Sequence, residues 1–187
     1  MANAPDIAAP LAPSAGNAAH APHRHSARLA SRPGDVAELW RKFEAHPEVT
    51  FHQSRAWVDA WTRGTSASLS IITLETDGRP FAILPLEIVE KSGLRIARFA
   101  GTAYSNENTG LIDIAPGVRI EPVSASDLAA ALQRAGLAAD LVLFDKMTPE
   151  AAARVPFSAL PRVFHQNPSF QLPLFEDFAA VLAQING

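Results

Sequence analysis

Five consecutive side chains, Tyr104-Ser105-Asn106-Glu107-Asn108, concentrate hydrogen-bonding capacity in one short stretch. Such groups can orient a hydroxyl or an amine. Glu107 is the candidate general base, because a carboxylate within reach of a nucleophile can take its proton. Tyr104 is its candidate catalytic partner. Ser105, Asn106 and Asn108 are candidate substrate contacts. The same residues also read as a solvated loop, since Asn and Ser side chains cap turns. His52 and His165 are further base candidates. Each has a phenylalanine neighbour in sequence, and histidines among aromatics are commonly core residues.

Other chemistries lack their signatures. No Gly-x-Ser-x-Gly elbow occurs, so a hydrolase of that type has no support. The chain has no cysteine, which excludes disulfides, thiolate metal sites and cysteine nucleophiles. His20, His23 and His25 are close together and could hold a metal weakly. A solvated tail is much the commoner explanation for such a run, and no metal site is expected. A phosphate-cradling glycine loop is not found, so no cofactor-binding residue can be named.

The elements around the polar stretch follow from pattern. Asp35 and Glu38 have capping-box spacing. Val36, Leu39, Trp40 and Phe43 then share one helical face, and Pro47 stops that helix. Ser54 predicts the N-cap of a second helix, with Trp57 and Trp61 one turn apart and Gly64 as its stop. These tryptophans read as core packing or, more sharply, as an aromatic shelf. Leu69 to Glu75 and Phe81 to Val89 read as strands joined by the Asp77-Gly78 turn. Pro85 marks an edge or a bulge. Ser92-Gly93 turns into a third strand with Leu94, Ile96 and Phe99. Leu111, Ile112 and Ile114 form a fourth. A helix capped by Ser124 or Ser126 ends at Gly136. Asp140 to Phe144 has the pattern of a buried central strand. A last strand over 170–174 and a final helix, with Glu176 and Asp177 at its start and Phe178, Val181 and Leu182 inward, close the sequence.

Antiparallel strands followed by a helical crossover predict an α+β fold with a mixed sheet. Residues 1–33 are rich in Ala and Pro and poor in acids, so they read as a disordered tail. Residues 34–187 then form one domain. A net charge of −3 leaves no basic footprint for nucleic acid. No apolar run approaches the roughly 18 residues of a membrane span. A reducing, cytoplasmic setting is the expectation.

A family resemblance adds a function. The pieces that carry it are Phe51-His52-Gln53-Ser54 with Trp57 and Trp61, Leu84-Pro85-Leu86, and the run Leu94 to Gly101. Tyr104-Ser105-Asn106, Thr109-Gly110-Leu111, Ala139-Asp140 and Leu160-Pro161 follow in order. Together they resemble the N-terminal half of a GNAT-type acyltransferase of the CelD/BcsL group, associated with cellulose and exopolysaccharide production and related to Fem-type tandem-GNAT enzymes. The resemblance implies a GNAT-like fold and transfer of an acyl group from acetyl-CoA, or another acyl-CoA, to an amine or hydroxyl of a small-molecule or saccharide acceptor. It implies a second GNAT-like domain or partner chain as well. The family's Arg/Gln-x-x-Gly-x-Gly/Ala donor loop is missing. Arg98-Phe99-Ala100-Gly101 supplies only its first spacing. A half-enzyme is therefore expected. The alternative is a non-catalytic module that docks a partner through the Tyr104 loop and the terminal helix.

Overall fold

The computed structural model describes residues 24–47, 49–113 and 120–163. The elements are β1 (His25–Ala30), α1 (Ala37–Glu44), α2 (Arg55–Gly64), β2 (Ser68–Thr76), β3 (Arg79–Lys91), β4 (Leu94–Phe99), β5 (Leu111–Ile112), α3 (Ala125–Arg134), β6 (Leu141–Leu143) and α4 (Pro149–Ala152). They build a mixed, open six-stranded sheet in the order β1-β2-β3-β4-β6, with β5 also on β3. Strands β1 to β4 run antiparallel, and β6 is parallel to β4. None of the described helices is long and apolar enough to cross a membrane.

The two hairpin turns obey their residues. Asp77 and Gly78 take φ of 50° and 76°, and Ser92 and Gly93 take 53° and 77°. Positive φ at both central positions matches the twist of the flanking strands. The alternation of side chains along the strands then separates two cores. Trp40 and Phe43 of α1 and Val58 of α2 bury Ile71, Ile83 and Leu111 on one face. Leu128 and Leu132 of α3, with Phe157, bury Ile72, Leu84, Leu86 and Phe99 on the other.

Pro85 lies inside β3, where its backbone meets an interruption. The β3–β4 ladder ends at Leu86↔Phe99 and resumes with β5 at Ile83↔Leu111. Between them the chain makes a long excursion over residues 100–110. Pro85 has no N–H to give, and its carbonyl accepts from Ala100 N at 2.9 Å. The ladder loses little by opening there; Pro85 itself stays in register with Ile71, and the register shift of the β2–β3 ladder lies at Leu74/Glu75, so Pro85 marks a gap rather than a bulge.

Four sequence expectations differ from the structure. His25–Ala30, assigned by composition to the tail, forms edge strand β1 through a full ladder with β2. Cross-strand pairing decides there, not composition: His25 Nδ1 meets Thr76 Oγ1 at 3.0 Å, and Arg28 pairs with Glu75. Asp35 and Glu38 make no capping box. Pro33–Val36 instead forms a 3-10 turn that leads into α1 without a side-chain cap. Gly64 is the last residue of α2 rather than a left-handed stop, and Thr65 beyond it is extended. Asp140 to Phe144 shrinks to Leu141–Leu143, an edge strand whose leucines are 47% and 45% exposed. Expectations on residues 1–23, on Ile114 and on residues 164–187 lie outside the described residues.

The parallel pair is pinned at its start. Asp140 Oδ2 accepts from Arg95 N at 2.8 Å, Asp140 Oδ1 accepts from Arg95 Nη2 at 2.8 Å, and Asp140 N donates to Arg95 O at 2.8 Å. The Arg95 side-chain and backbone hydrogen bonds hold the Asp140 carboxyl down to about 2.

Candidate functional site

The excursion over 100–110 rests on α2. Ser54 Oγ accepts from Trp57 N at 3.1 Å, which starts the helix where the sequence predicts. The indoles of Trp57 and Trp61 then face the loop. Gly101 takes φ of 75°, and a Cβ there would lie 2.9 Å from Trp57 Nε1. Only glycine permits this close, left-handed approach of backbone to ring. The buried Trp57 Nε1 has no hydrogen-bond partner among the described residues.

The inner side of the loop is a closed polar frame. Asn108 Oδ1 accepts from Ser105 Oγ at 2.9 Å. Asn108 Nδ2 donates to Thr102 Oγ1 at 2.9 Å and to Asp145 O at 3.1 Å. Thr102 Oγ1 donates to Asp145 Oδ1 at 2.7 Å. Lys146, held at φ of 54°, donates from Nζ to Thr102 O at 2.6 Å and Ser105 O at 2.8 Å. These bonds join the excursion to the exit of β6, where β4 and β6 no longer pair. On the other flank Gln53 reaches in from the turn before α2. Its Oε1 accepts from Thr109 Oγ1 at 3.1 Å and from Thr50 Oγ1, and its Nε2 donates to Glu107 O at 3.3 Å. Buried polar groups paired this fully stiffen a loop.

The outer side is different. Tyr104 is 71% exposed, and its ring centroid lies 5.5 Å from that of Trp61. Trp61 is itself fixed: Nε1 donates to Glu87 Oε2 at 2.8 Å, while Glu87 Oε1 accepts from Arg98 Nε at 2.9 Å. Glu87 is buried on β3. Exposed Phe51 and half-buried His52 add edge-on contacts to Trp57 at 5.6 and 5.1 Å. The outcome is an aromatic ledge on a rigid support.

The five predicted residues therefore divide. Ser105 and Asn108 come together but point inward, with their hydrogen bonds used inside the frame and almost no exposure. They hold the loop and are not open to a ligand. Tyr104 and Asn106 are exposed. Glu107 is half-buried; among the described residues its carboxylate has neither an ion pair nor a hydrogen bond. His52 sits in the aromatic cluster, and His165 lies outside the described residues. Sequence reasoning missed Thr102, Asp145 and Lys146 as frame members. Their contacts span more than forty positions, and no local pattern marks them.

Two other features lie apart from the loop. An open groove of about 970 Å³ runs between β1 and α1 and contains none of the loop residues. Near the end of α1, buried Asp113 meets Lys42 Nζ at 3.2 Å and His46 Nε2 at 3.5 Å. No group of three or more His, Asp or Glu among the described residues could hold a metal ion.

A CoA pyrophosphate needs free backbone amides at a helix start. Ser54, Ser124 and Thr148 already cap α2, α3 and α4 with their own side chains, and α3 carries Asp127 in its first turn. α1 begins without a side-chain cap, but Ala37 N already donates to Gly34 O and Glu38 in the first turn opposes an anion there, so none of the described α-helix starts is arranged for a pyrophosphate. No protein-family model, curated protein or solved structure matches this chain.

Proposed function

We propose that this chain is the acceptor-binding half of a GNAT-like acyltransferase. The observation that carries the reading is the loop 100–110, thrown out of an interrupted ladder and presenting Tyr104 over Trp61 on a fully bonded frame. An antiparallel meander that crosses by a helix to a parallel strand agrees with the architecture that the resemblance implies. The ledge offers exposed aromatic surface, with Tyr104 tilted 51° to Trp61, and the amide of Asn106 and carboxylate of Glu107 follow in the same loop. That combination suits an acceptor of the saccharide class, whose ring face stacks and whose hydroxyl or amine takes hydrogen bonds. Tyr104 and Asn106 contact the acceptor, and Glu107 is the group positioned to take its proton. The acyl-CoA grip belongs to another domain or chain, so no step through the donor is assigned here. The docking-module reading is favoured by one observation, the inward turn of Ser105 and Asn108.

Calorimetric titration tests this. Cellopentaose and a glucosamine oligosaccharide are each added to the chain and to Tyr104→Ala. Saccharide binding that falls at least tenfold in the variant is expected, with no heat from acetyl-CoA. Acetyl-CoA binding by this chain alone, or no saccharide binding at all, overturns the proposal. Saccharide silence would leave the docking module as the better account.

A further inference from the structure

The surface that bears the ledge continues past Trp61. Glu87, which holds the Trp61 indole, is the register partner of Arg98 across the β3–β4 ladder and is ion-paired with it. Arg98 is in turn the register partner of Leu143 on β6, and Ile96 that of Leu141. Alternation therefore sets Leu94, Ile96 and Arg98 of β4, with Leu141 and Leu143 of β6, on the sheet face that bears Trp61. The residues between them, Ala97 and Val142, pack into the α3 core on the other face. Leu94, Leu141 and Leu143 are 48%, 47% and 45% exposed. A strip thus runs from the Tyr104 and Trp61 rings over Arg98 to three open leucines.

Resting on the acceptor reading of the ledge, we propose that this strip takes an uncharged alkyl tail carried by the acceptor, which makes the acceptor a saccharide with an apolar aglycone. Three observations select this occupant. The first is continuity. One buried carboxylate, Glu87, bonds both the last ring of the ledge and the first side chain of the strip, so ring site and leucines are neighbours on one face. The second is charge. Arg98 is already balanced by Glu87, so the strip has no unmatched cation at that point to recruit a fatty-acid carboxylate or a phosphate. The third is size. Three half-exposed leucines fall far short of the roughly 800 Å² per partner that a stable protein interface buries. They suit a single chain of methylenes, each worth about fourfold in affinity when fully taken out of water.

Octyl and methyl β-cellobioside, both kept below micelle-forming concentrations, separate tail from sugar. Each is titrated calorimetrically into the full chain and into a variant combining Leu141→Ser with Leu143→Ser. The octyl glycoside is expected to bind at least tenfold more tightly than the methyl glycoside. The double variant should lose that gain and keep the affinity for the methyl glycoside. If the methyl glycoside binds and the octyl one binds no better, the tail site is overturned while the ledge reading stands. If neither binds, both fall. A gain that survives in the double variant places the tail elsewhere and overturns the proposal. A footprint covers the case in which the double variant does not fold. The chain has no cysteine, so Leu94→Cys supplies a single thiol at the far end of the strip. Its alkylation should slow severalfold under saturating octyl cellobioside and stay unchanged under the methyl glycoside. An unslowed reaction would also sink the idea.

Discussion

The inner and outer sides of one loop do opposite jobs with similar residues. Inside, Thr102, Ser105 and Asn108 saturate one another and tie down to Asp145 and Lys146. Outside, Tyr104 stands open over Trp61, and Asn106 is exposed. A polar residue near a candidate site is therefore not a ligand group by type alone. Whether its hydrogen bonds are already used decides the matter.

Mutation of each side can break this contrast. The largest expected effect is from Asn108→Leu, which removes the bonds to Ser105 Oγ, Thr102 Oγ1 and the Asp145 carbonyl and sets an apolar side chain in their buried polar site. It should cost about 2–4 kcal/mol in urea unfolding. A loss below about 1 kcal/mol would mean that the frame is not the support described. Gly101→Ala comes next. It combines left-handed backbone with a contact on Trp57 and should cost about 1–3 kcal/mol. Gly78→Ala is the control, with positive φ but open space around it, and should cost about 1–2 kcal/mol. Equal losses at the two glycines would remove the argument that loop and indole touch. Tyr104→Ala should leave stability within about 0.5 kcal/mol while weakening saccharide binding. A large thermal shift there would place Tyr104 in the frame and not on the ledge.

The smallest effect belongs to an exposed pair that sharpens the contrast from outside the loop. The Asp140 carboxyl is lowered from 3.8 to about 2 by its Arg95 hydrogen bonds. A lowered folded value means that the stabilisation is complete above the unfolded value and fades as pH falls through the folded one. The difference in melting temperature between the native chain and Asp140→Asn should therefore shrink between about pH 4 and pH 2. A difference independent of pH across that window would show that the pair's charge contributes nothing.

Much of the frame around the site could be read from the sequence because it is local. The Ser54 and Ser124 caps, the Asp77-Gly78 and Ser92-Gly93 turns and the Trp40/Phe43 face each depend on neighbours within a turn or two. Pro85 signalled the ladder gap through its missing donor. β1 was not legible, because a run whose only large apolar residue is Leu29 becomes a strand only when Leu74, Ile72 and the rest of β2 pair with it. The polar loop was legible as a stretch of the chain, but the orientation of its side chains was not. Tyr104-Ser105-Asn106-Glu107-Asn108 was marked by its composition. Which members face inward depends on Asp145, Lys146 and Gln53, far away in sequence.

The break in the ladder at Pro85 uncouples the loop from the sheet's own pairing. The sheet is sealed on either side of the gap, by β4 before it and β5 after it. The strands that flank the loop therefore hold their register through their own pairs with β3. The path of the loop is set instead by Trp57, Gln53, Asp145 and Lys146, none of which belongs to a strand.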